Sequence, residues 1–600
     1  MEKRWVLKEK GDPEVVSRLC QDLSIDENLV QLLVQRGITT FDEAREFFRP
    51  SLENLHDPFL MKDMDKAIQR IDQAFKNKEH ILIYGDYDVD GTTAVALVYT
   101  FFKEHYSELD FYIPDRDKEG YGISITGIDY AADNGFKLVI ALDCGIKAVE
   151  KIQYALDKGV DFIICDHHRP GETIPAAVAV LDPKRVDCDY PYKELSGCGV
   201  GFKLVQAYAL QNNIPFDSLY PLLDLVAVSI ASDIVPITGE NRILAHFGLK
   251  LLNSNPRPGL EAILAYCRIL RKSVTSNGTS DFAGADLKSA PAMPAIPNAF
   301  TREMNINDIV FLIGPRINAA GRVESGRNSV KLLVAKSLEE AKESAATVDA
   351  NNTERRTMDI NTTLEALTSL DSDPLILSKK STVIYNPDWH KGVIGIVASR
   401  LTESYYRPTI VLTISNGLIT GSARSVKDFD VYDAIDACSD LLEHFGGHKY
   451  AAGLSMKPEN LPEFIHRFEE IVSATILDEQ LIPEIEIDLD IKLSVINSKF
   501  LRILNQFAPF GPGNISPVFR SGEVVDTGNA KVVGKNHLKL TVIHSDITCF
   551  PYSAIAFHQG EYIDDIMQGK TFSICYNIEE NDFNGSKSIQ LNVKDIKLEN

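Results

Sequence analysis

The chain has 600 residues, 44% of them hydrophobic and 24% charged, with a formal net charge of −23, which excludes a disordered chain and allows several buried cores. No apolar stretch approaches the ~20 residues of a bilayer span. The start Met1-Glu-Lys-Arg-Trp-Val has no apolar signal region, and nine scattered cysteines without a CxxC pair suit reduced thiols better than disulfides, zinc or an iron–sulfur cluster, so a cytoplasmic setting is expected. The acidity also excludes a general basic field for long duplex, so any phosphate contact must rest on a few placed Arg and Lys.

Residues 1–77 read as a helical, loop-rich extension, with Leu29-Val-Gln-Leu-Leu-Val-Gln-Arg-Gly at helical period. Ile81-Leu-Ile-Tyr-Gly then predicts a buried strand and Gly91-Thr-Thr-Ala-Val-Ala-Leu the first turn of a helix, with Asp86, Asp88 and Asp90 between them. Carboxylates at a strand's carboxyl end sit where open α/β sheets bind ligands. Three like charges this close repel one another unless a cation lies among them. A lone Asp-x-Asp-x-Asp is more often a solvated turn, but the same grammar returns three times. Leu138-Val-Ile-Ala-Leu ends in Asp143, Asp161-Phe-Ile-Ile-Cys ends in Asp166-His167-His168, and an apolar run from Leu223 ends at Asp233. Strand and helix signals alternate from about residue 79 to 253, which predicts a parallel sheet covered on both faces.

Residues 271–303, rich in Ser, Ala, Gly, Asn and Pro, read as a disordered insertion within a domain spanning 78–336. A long charged helix over 337–372 connects to a second, smaller α/β domain over 373–476. There Gly395, Gly421, Gly446 and Gly447 would let backbone approach a phosphate. Residues 477–600 show short alternating strands that suggest a small β-barrel. On it Lys531, Lys535 and Lys539, with Phe557 and Tyr576, are candidates for a single-strand stacking groove.

The motifs Asp86-Tyr-Asp-Val-Asp-Gly91, Asp143-Cys-Gly145, Asp166-His-His168 and Ala231-Ser-Asp-Ile-Val-Pro236, in this order, resemble the DHH phosphoesterase superfamily. Within it the chain is most similar to the RecJ family of single-strand-specific exonucleases. That narrower likeness is carried by Ile113-Pro-Asp-Arg116, Glu119-Gly-Tyr121-Gly, Ile313-Gly-Pro-Arg316-Ile-Asn318-Ala-Ala-Gly321-Arg322, Trp389-His390-Lys-Gly-Val-Ile-Gly395, Gly421-Ser422-Ala-Arg424, Gly446-Gly-His448 and Phe510-Gly-Pro-Gly-Asn514.

The resemblance implies an α/β, parallel-sheet DHH phosphoesterase domain, a smaller α/β DHH-associated domain joined to it by the long helix, and a C-terminal OB-like barrel. It implies 5′→3′ hydrolysis of single-stranded DNA to 5′-mononucleotides in repair and recombination, with a helicase or single-strand-binding protein as partner. Oxygen and imidazole donors without thiolate suit two Mn²⁺ or Mg²⁺ ions, the two histidines favouring Mn²⁺. Residue by residue it implies Asp88 on one ion, Asp90, His167 and Asp233 on the other, and Asp143 bridging. Asp86 would complete the first ion's shell or orient its water, and His168 would donate to a phosphate oxygen. Arg116, Arg316, Asn318, Arg322, Ser422, Arg424 and His448 would hold phosphates, and Tyr121 would stack on a base. Two other readings stay open: a DHH-type phosphodiesterase of short oligonucleotides or cyclic dinucleotides, which needs no barrel, and a noncatalytic single-strand-binding scaffold, which need not keep these ligands.

Overall fold

The computed structural model describes residues 2–116, 118–272, 299–323, 326–545, 550–583 and 586–599, with the side chains of 320–323, 583 and 586 excepted. The chain divides into two compact units, Gly11–Asn352 with Arg502–Ser516, and Met1–Lys10 with Thr353–Leu501 and Pro517–Asn600. Among the described residues no helix is long and apolar enough to cross a membrane. Ahead of the expected N-terminal helices, Pro13–Leu23, Glu27–Val34, Phe41–Phe48 and Met64–Asn77, lies a strand that the sequence did not suggest. This strand, β1 (Arg4–Leu7), pairs in parallel with Glu484–Ile487 and belongs to the other unit.

The larger unit is built on a five-stranded parallel sheet of β2 (His80–Gly85), β3 (Leu109–Tyr112), β4 (Phe136–Leu142), β5 (Asp161–Cys165) and β6 (Ala179–Leu181), in the order β3-β2-β4-β5-β6. Successive side chains on a strand point to opposite faces, so the apolar runs feed two cores. Ile81, Ile83, Leu138, Ile140, Leu142 and Ile163 enter one core, and Leu82, Tyr84, Val139, Ala141, Phe162 and Ile164 enter the other. Burial on both faces is why these strands read as continuous apolar runs. The helix Leu223–Ser232 is buried on every side from Leu223 to Ala231, as expected of an apolar helix at the centre of a bundle. It packs on the helices Val89–His105, Gly197–Gln211 and Gly239–Ser254. At about 1.5–3 kcal/mol for each buried Leu, Ile or Val, it anchors the layer that ends at Asp233.

Of the expected insertion, residues 273–298 lie outside the described residues. Its flanks meet in an antiparallel bridge, Arg271 with Phe300, closed by the Lys272 N–H donating to the Ala299 carbonyl at 2.8 Å. The connecting helix runs Leu338–Asp371 and carries the chain from one unit into the other.

In the second unit β7 (Thr382–Tyr385), β8 (Thr409–Ser415), β9 (Leu418–Arg424), β10 (His444–His448) and β11 (Ala451–Met456) form a sheet in the order β10-β11-β9-β8-β7. Only the β7–β8 pair is parallel. Ile410 and Leu412 of β8 enter one core and Val411 another, the same period-two logic. Glu484–Ile487 is β12, and the chain closes with β13 (Leu489–Asp490), β14 (Phe519–Asp526), β15 (Lys531–Val533), β16 (His537–His544), β17 (Tyr552–Ala556), β18 (Phe572–Phe583) and β19 (Ser586–Leu598). Their order is β13-β14-β18-β19-β17-β16-β15, and β14 also pairs with β16. The strands β14-β18-β19-β17-β16 therefore close on themselves, which removes sheet edges from the ring. Tyr576 is fully buried inside it with its hydroxyl 2.8 Å from Ser521 Oγ. It is a core residue and cannot stack on a base, whereas Phe557 is 51% exposed.

Candidate metal centre

The acidic cluster stands where three strands and one helix end. Beyond β2 the chain turns directly into the helix Val89–His105, with Asp88 as its N-cap accepting from the Gly91 N–H at 2.9 Å and Asp90 in its first turn. Beyond β4, Asp143 adopts a left-handed φ of 58°. Beyond β5 come Asp166, His167 and His168, and Asp233 caps the helix Leu223–Ser232, followed by Ile234 at φ 60°. Two residues with side chains beyond Gly in the left-handed region, one of them β-branched, mark a backbone held against its preference.

His167 Nε2 lies 3.2 Å from Asp143, 3.5 Å from Asp233 and 3.7 Å from Asp90. The donor atoms gather as Asp86 with Asp88 and Asp143, Asp90 with His167 and Asp233, and Asp143 with His167 and His168, each set lying within 4.8 Å. Asp90 is fixed from behind. Its carboxylate accepts the Gly197 N–H at 2.7 Å, the Cys198 N–H at 2.8 Å and the Ser229 hydroxyl at 2.6 Å. The start of the helix Gly197–Gln211 thus faces a carboxylate, a favourable end for a negative charge. Gly197 cannot carry a side chain, because a Cβ there would lie 2.6 Å from that of Asp143.

These residues fit a divalent ion by a direct observation. Asp86 Oδ2, Asp143 Oδ1 and both ring nitrogens of His167 are buried with no hydrogen-bond partner, a cost that native proteins rarely leave unrelieved. Burial, and then Asp88, push the Asp86 carboxyl up to about 7. Burial, and then Asp90 and Asp88, push Asp233 up to about 8. Asp143 and Asp88 are raised by the same causes, and burial lowers His167. A neutral imidazole with free nitrogens and mutually repelling carboxylates is the state a cation reorganises into ligands. The neighbouring thiol of Cys144 is raised by burial and supplies no thiolate, so the donor set is oxygen and imidazole and suits Mn²⁺ or Mg²⁺.

His168 differs from its neighbour. Its Nδ1 is 2.7 Å from Asp166 Oδ1, and Asp166 also accepts the N–H groups of Ile146, His167 and His168. Burial alone would raise Asp166, but the His168 bond, its charge and these amides bring the carboxyl down to about 2. Burial likewise opposes charge on His168, yet Asp166 lifts it to about 9. Its Nε2 is 3.2 Å from the hydroxyl of Tyr121, whose ring is 54% exposed. Tyr121 packs edge-on to both His168 and Tyr87, and the Arg116 guanidinium lies 5.2 Å from the Tyr87 ring centroid. Arg116, Tyr87, Tyr121 and His168 therefore form one row. Arg316 sits on the helix Gly314–Val323, donating to Asp349 and to the Leu312 carbonyl, each at 2.8 Å. Asn318 is half-buried on the same helix, and the side chain of Arg322 lies outside the described residues.

In the second unit Arg424 ends β9. It donates to the hydroxyls of Ser399 and Ser422 and to the Ala423 carbonyl. Among the described residues these hydrogen-bond partners are all neutral, and burial lowers this half-buried guanidinium. His448 on β10 is exposed and shares a cross-strand row with Arg424 through Ala451. Gly446 faces Gly453, which faces Ser422, leaving bare backbone beside these donors.

The sequence reading missed Asp166 as an orienting group, Ser229 and Gly197 behind Asp90 and Asp143, and Tyr87 beneath Arg116. Asp166 carried a signal, standing at the strand end as the other aspartates do, but its partner is the next-but-one residue rather than an ion.

A parallel sheet with carboxylates and imidazoles at its strand ends, a second α/β unit and a closed barrel define a DHH-type phosphoesterase. Residues 80–230 match the DHH family N-terminal domain, 378–474 the DHHA1 domain and 487–595 the RecJ OB domain. The chain belongs to the RecJ family. It is 36% identical to the single-stranded-DNA-specific exonuclease RecJ of Bacillus subtilis (strain 168), over 99% of this chain and 70% of that one. To the protein of the same name from Escherichia coli (strain K12) it is 29% identical, over 95% of each. The solved structure of RecJ from Thermus thermophilus with Mn²⁺ shares the fold, with a TM-score of 0.79 at 24% identity, over 99% of this chain and 79% of that one. An exonuclease RecJ bound to manganese matches at a TM-score of 0.56 and 28% identity, over 72% of this chain and 98% of that one.

Proposed function

We propose that this protein hydrolyses single-stranded DNA from its 5′ end, releasing 5′-mononucleotides with Mn²⁺ or Mg²⁺, in DNA repair and recombination in the cytoplasm. The observation that carries the hydrolytic part is the set of buried, unpartnered oxygens and nitrogens on Asp86, Asp143 and His167. The single-strand part rests on the names of the relatives. Asp86, Asp88 and Asp143 would hold one ion and Asp90, His167 and Asp233 the other, with Asp143 shared. When bound, such a pair supplies an acidified water and neutralises charge on the attacked phosphate.

The chain's own residues do the rest. Asp166 keeps the His168 ring protonated and turned, so that Nε2–H is free to donate to a phosphate oxygen once Tyr121 yields it. Tyr121 offers an exposed ring to a base, and Arg116, Arg316, Asn318 and Arg322 hold phosphates in the same unit. Arg316 must share its guanidinium with Asp349 to do so. Arg424, whose partners are all neutral, Ser422 and His448 form a second phosphate site. On the barrel Lys531 stands directly across from Lys539, a like-charge pair that an intervening phosphate would relieve. A helicase or single-strand-binding protein is the partner class the family resemblance supports.

The test is an assay on oligonucleotides labelled at either end, single-stranded and duplex, with Mn²⁺, Mg²⁺ or chelator. A 5′ label should appear at once as mononucleotide, from the single strand only and only with metal. Release of a 3′-labelled mononucleotide first would overturn the polarity, and equal cleavage of duplex the strand preference.

A further inference from the structure

The motif Phe510-Gly-Pro-Gly-Asn514 has no part in the chemistry above, yet residues 502–516 fold into the unit that carries the acidic cluster. Its turn packs on the loop that leaves Asp233. The Ile237 N–H donates to the Pro512 carbonyl at 2.6 Å. A Cβ on Gly511 would lie 2.5 Å from Ile237 Cδ1, and one on Gly513 would lie 3.0 Å from Thr238 Cγ2 and 3.3 Å from Pro236 Cβ. Gly511 therefore presses on Ile237 with no room for a Cβ, and Gly513 fits closely against Pro236 and Thr238.

The loop needs such a support. Ile234 follows Asp233 at φ 60° with its side chain 63% exposed, so an unfavourable β-branched conformation is not anchored by burial of that side chain. The bend must be held from its two sides. On one side the Asp233 N–H closes the helix on the Ser229 carbonyl at 2.9 Å. On the other the Pro236 carbonyl accepts from the Tyr192 hydroxyl at 3.2 Å and Asn241 Nδ2 at 3.0 Å, while Ile237 is tied to Pro512.

The turn is itself stiff. Gly511 and Asn514 exchange backbone hydrogen bonds at 3.0 and 2.9 Å. The buried Asn514 amide donates to the Phe507 and Pro509 carbonyls at 2.8 and 2.9 Å and accepts from Arg36 Nε at 2.9 Å. Arg242 donates to the Ala508 carbonyl at 2.9 Å.

We propose that this turn is a positioning element for the metal centre: by clamping residues 236–238 it holds the strained bend that aims the Asp233 carboxylate toward His167 and Asp90. The inference rests on Asp233 being a metal ligand, as proposed above. It makes Gly511, Gly513 and Asn514 positioning residues, remote in sequence from every ligand.

The test measures Mn²⁺ binding to the full chain by calorimetry, without DNA, alongside melting in chelator. Gly511→Ala should weaken Mn²⁺ binding about tenfold, the scale on which residues behind metal ligands act. Ile237→Val removes the Cδ1 that the new methyl meets, so the double variant should recover most of the affinity. Should Gly511→Ala not fold, Asn514→Ser loosens the turn without a clash and should weaken binding likewise. Asp233→Ala is run in parallel. Wild-type affinity in the turn variants, with binding lost in Asp233→Ala, overturns the positioning role and leaves the ligand assignment standing. Wild-type affinity in Asp233→Ala overturns both.

Discussion

Removing divalent ions and raising the pH should unfold this protein more readily, by an amount that the cluster sets. Asp86 is moved from 3.8 to about 7 and Asp233 from 3.8 to about 8. A carboxyl whose folded value is raised holds its proton more tightly in the folded chain, so it stabilises below its unfolded value, near 4, and loses that contribution as pH rises to its folded value. At about 1.4 kcal/mol per unit, ionising the buried Asp86 costs about 4 kcal/mol, and the partly exposed Asp233 no more than about 6. Asp88 acts on both, so the costs overlap and a total of about 4–6 kcal/mol is expected. That is a large part of the ~5–15 kcal/mol stability of a typical domain. His168, raised to about 9, adds loss in the same direction toward the alkaline end. The assay is scanning calorimetry in chelator from about pH 5 to about pH 8.5, with hydrogen exchange of residues 136–168 assigning the transition to this unit. Saturating Mn²⁺ should remove most of the slope. A metal-free stability that is flat or rises over this range would refute the electrostatic picture of the cluster.

Asp143→Ala should keep the fold and abolish hydrolysis, since it removes the carboxylate proposed to be shared by the two ions; near-normal turnover at saturating Mn²⁺ would rule out the shared-ligand assignment. His167→Ala should weaken metal binding by at least about tenfold, while His168→Ala lowers turnover by about 10²-fold with metal affinity nearly kept; equal losses of affinity in a metal titration would show the division of roles to be wrong. Asp166→Asn should bring the His168 titration in the metal-free protein down from about 9 toward its ordinary value, read by NMR of labelled histidine. An unmoved titration would mean Asp166 does not set it. Replacing both Lys531 and Lys539 by Ala should weaken binding of long strands and flatten its logarithmic salt dependence by about 1.4, two contacts at ~0.7 each, with cleavage of a short oligonucleotide spared. An unchanged slope would make the barrel lysines bystanders and return weight to a short-oligonucleotide phosphodiesterase.

The strands β2, β4 and β5 were legible because burial on both faces writes an unbroken apolar run, and each run stops at an acid. The gathering of acids and imidazoles followed, since such residues at strand ends are local features of sequence. What could not be read is what pairs across long separations. Ser229 behind Asp90, Asp349 beside Arg316 and residues 511–513 on the loop after Asp233 have no signature in their own neighbourhoods. The pairing of β1 with β12 is of the same kind: a four-residue, half-exposed strand is specified by its partner. Tyr576 shows the other limit, because an alternating strand in a closed barrel has an inner and an outer face, and only the register says which one an aromatic occupies.

The most direct measurement is the anomalous difference map of crystals of the full chain soaked in Mn²⁺. Two peaks are predicted, one among Asp86, Asp88 and Asp143 and one among Asp90, His167 and Asp233, with Asp143 reaching both. A single peak at saturating Mn²⁺, or peaks away from these side chains, would contradict the two-ion site on which the proposed hydrolysis depends.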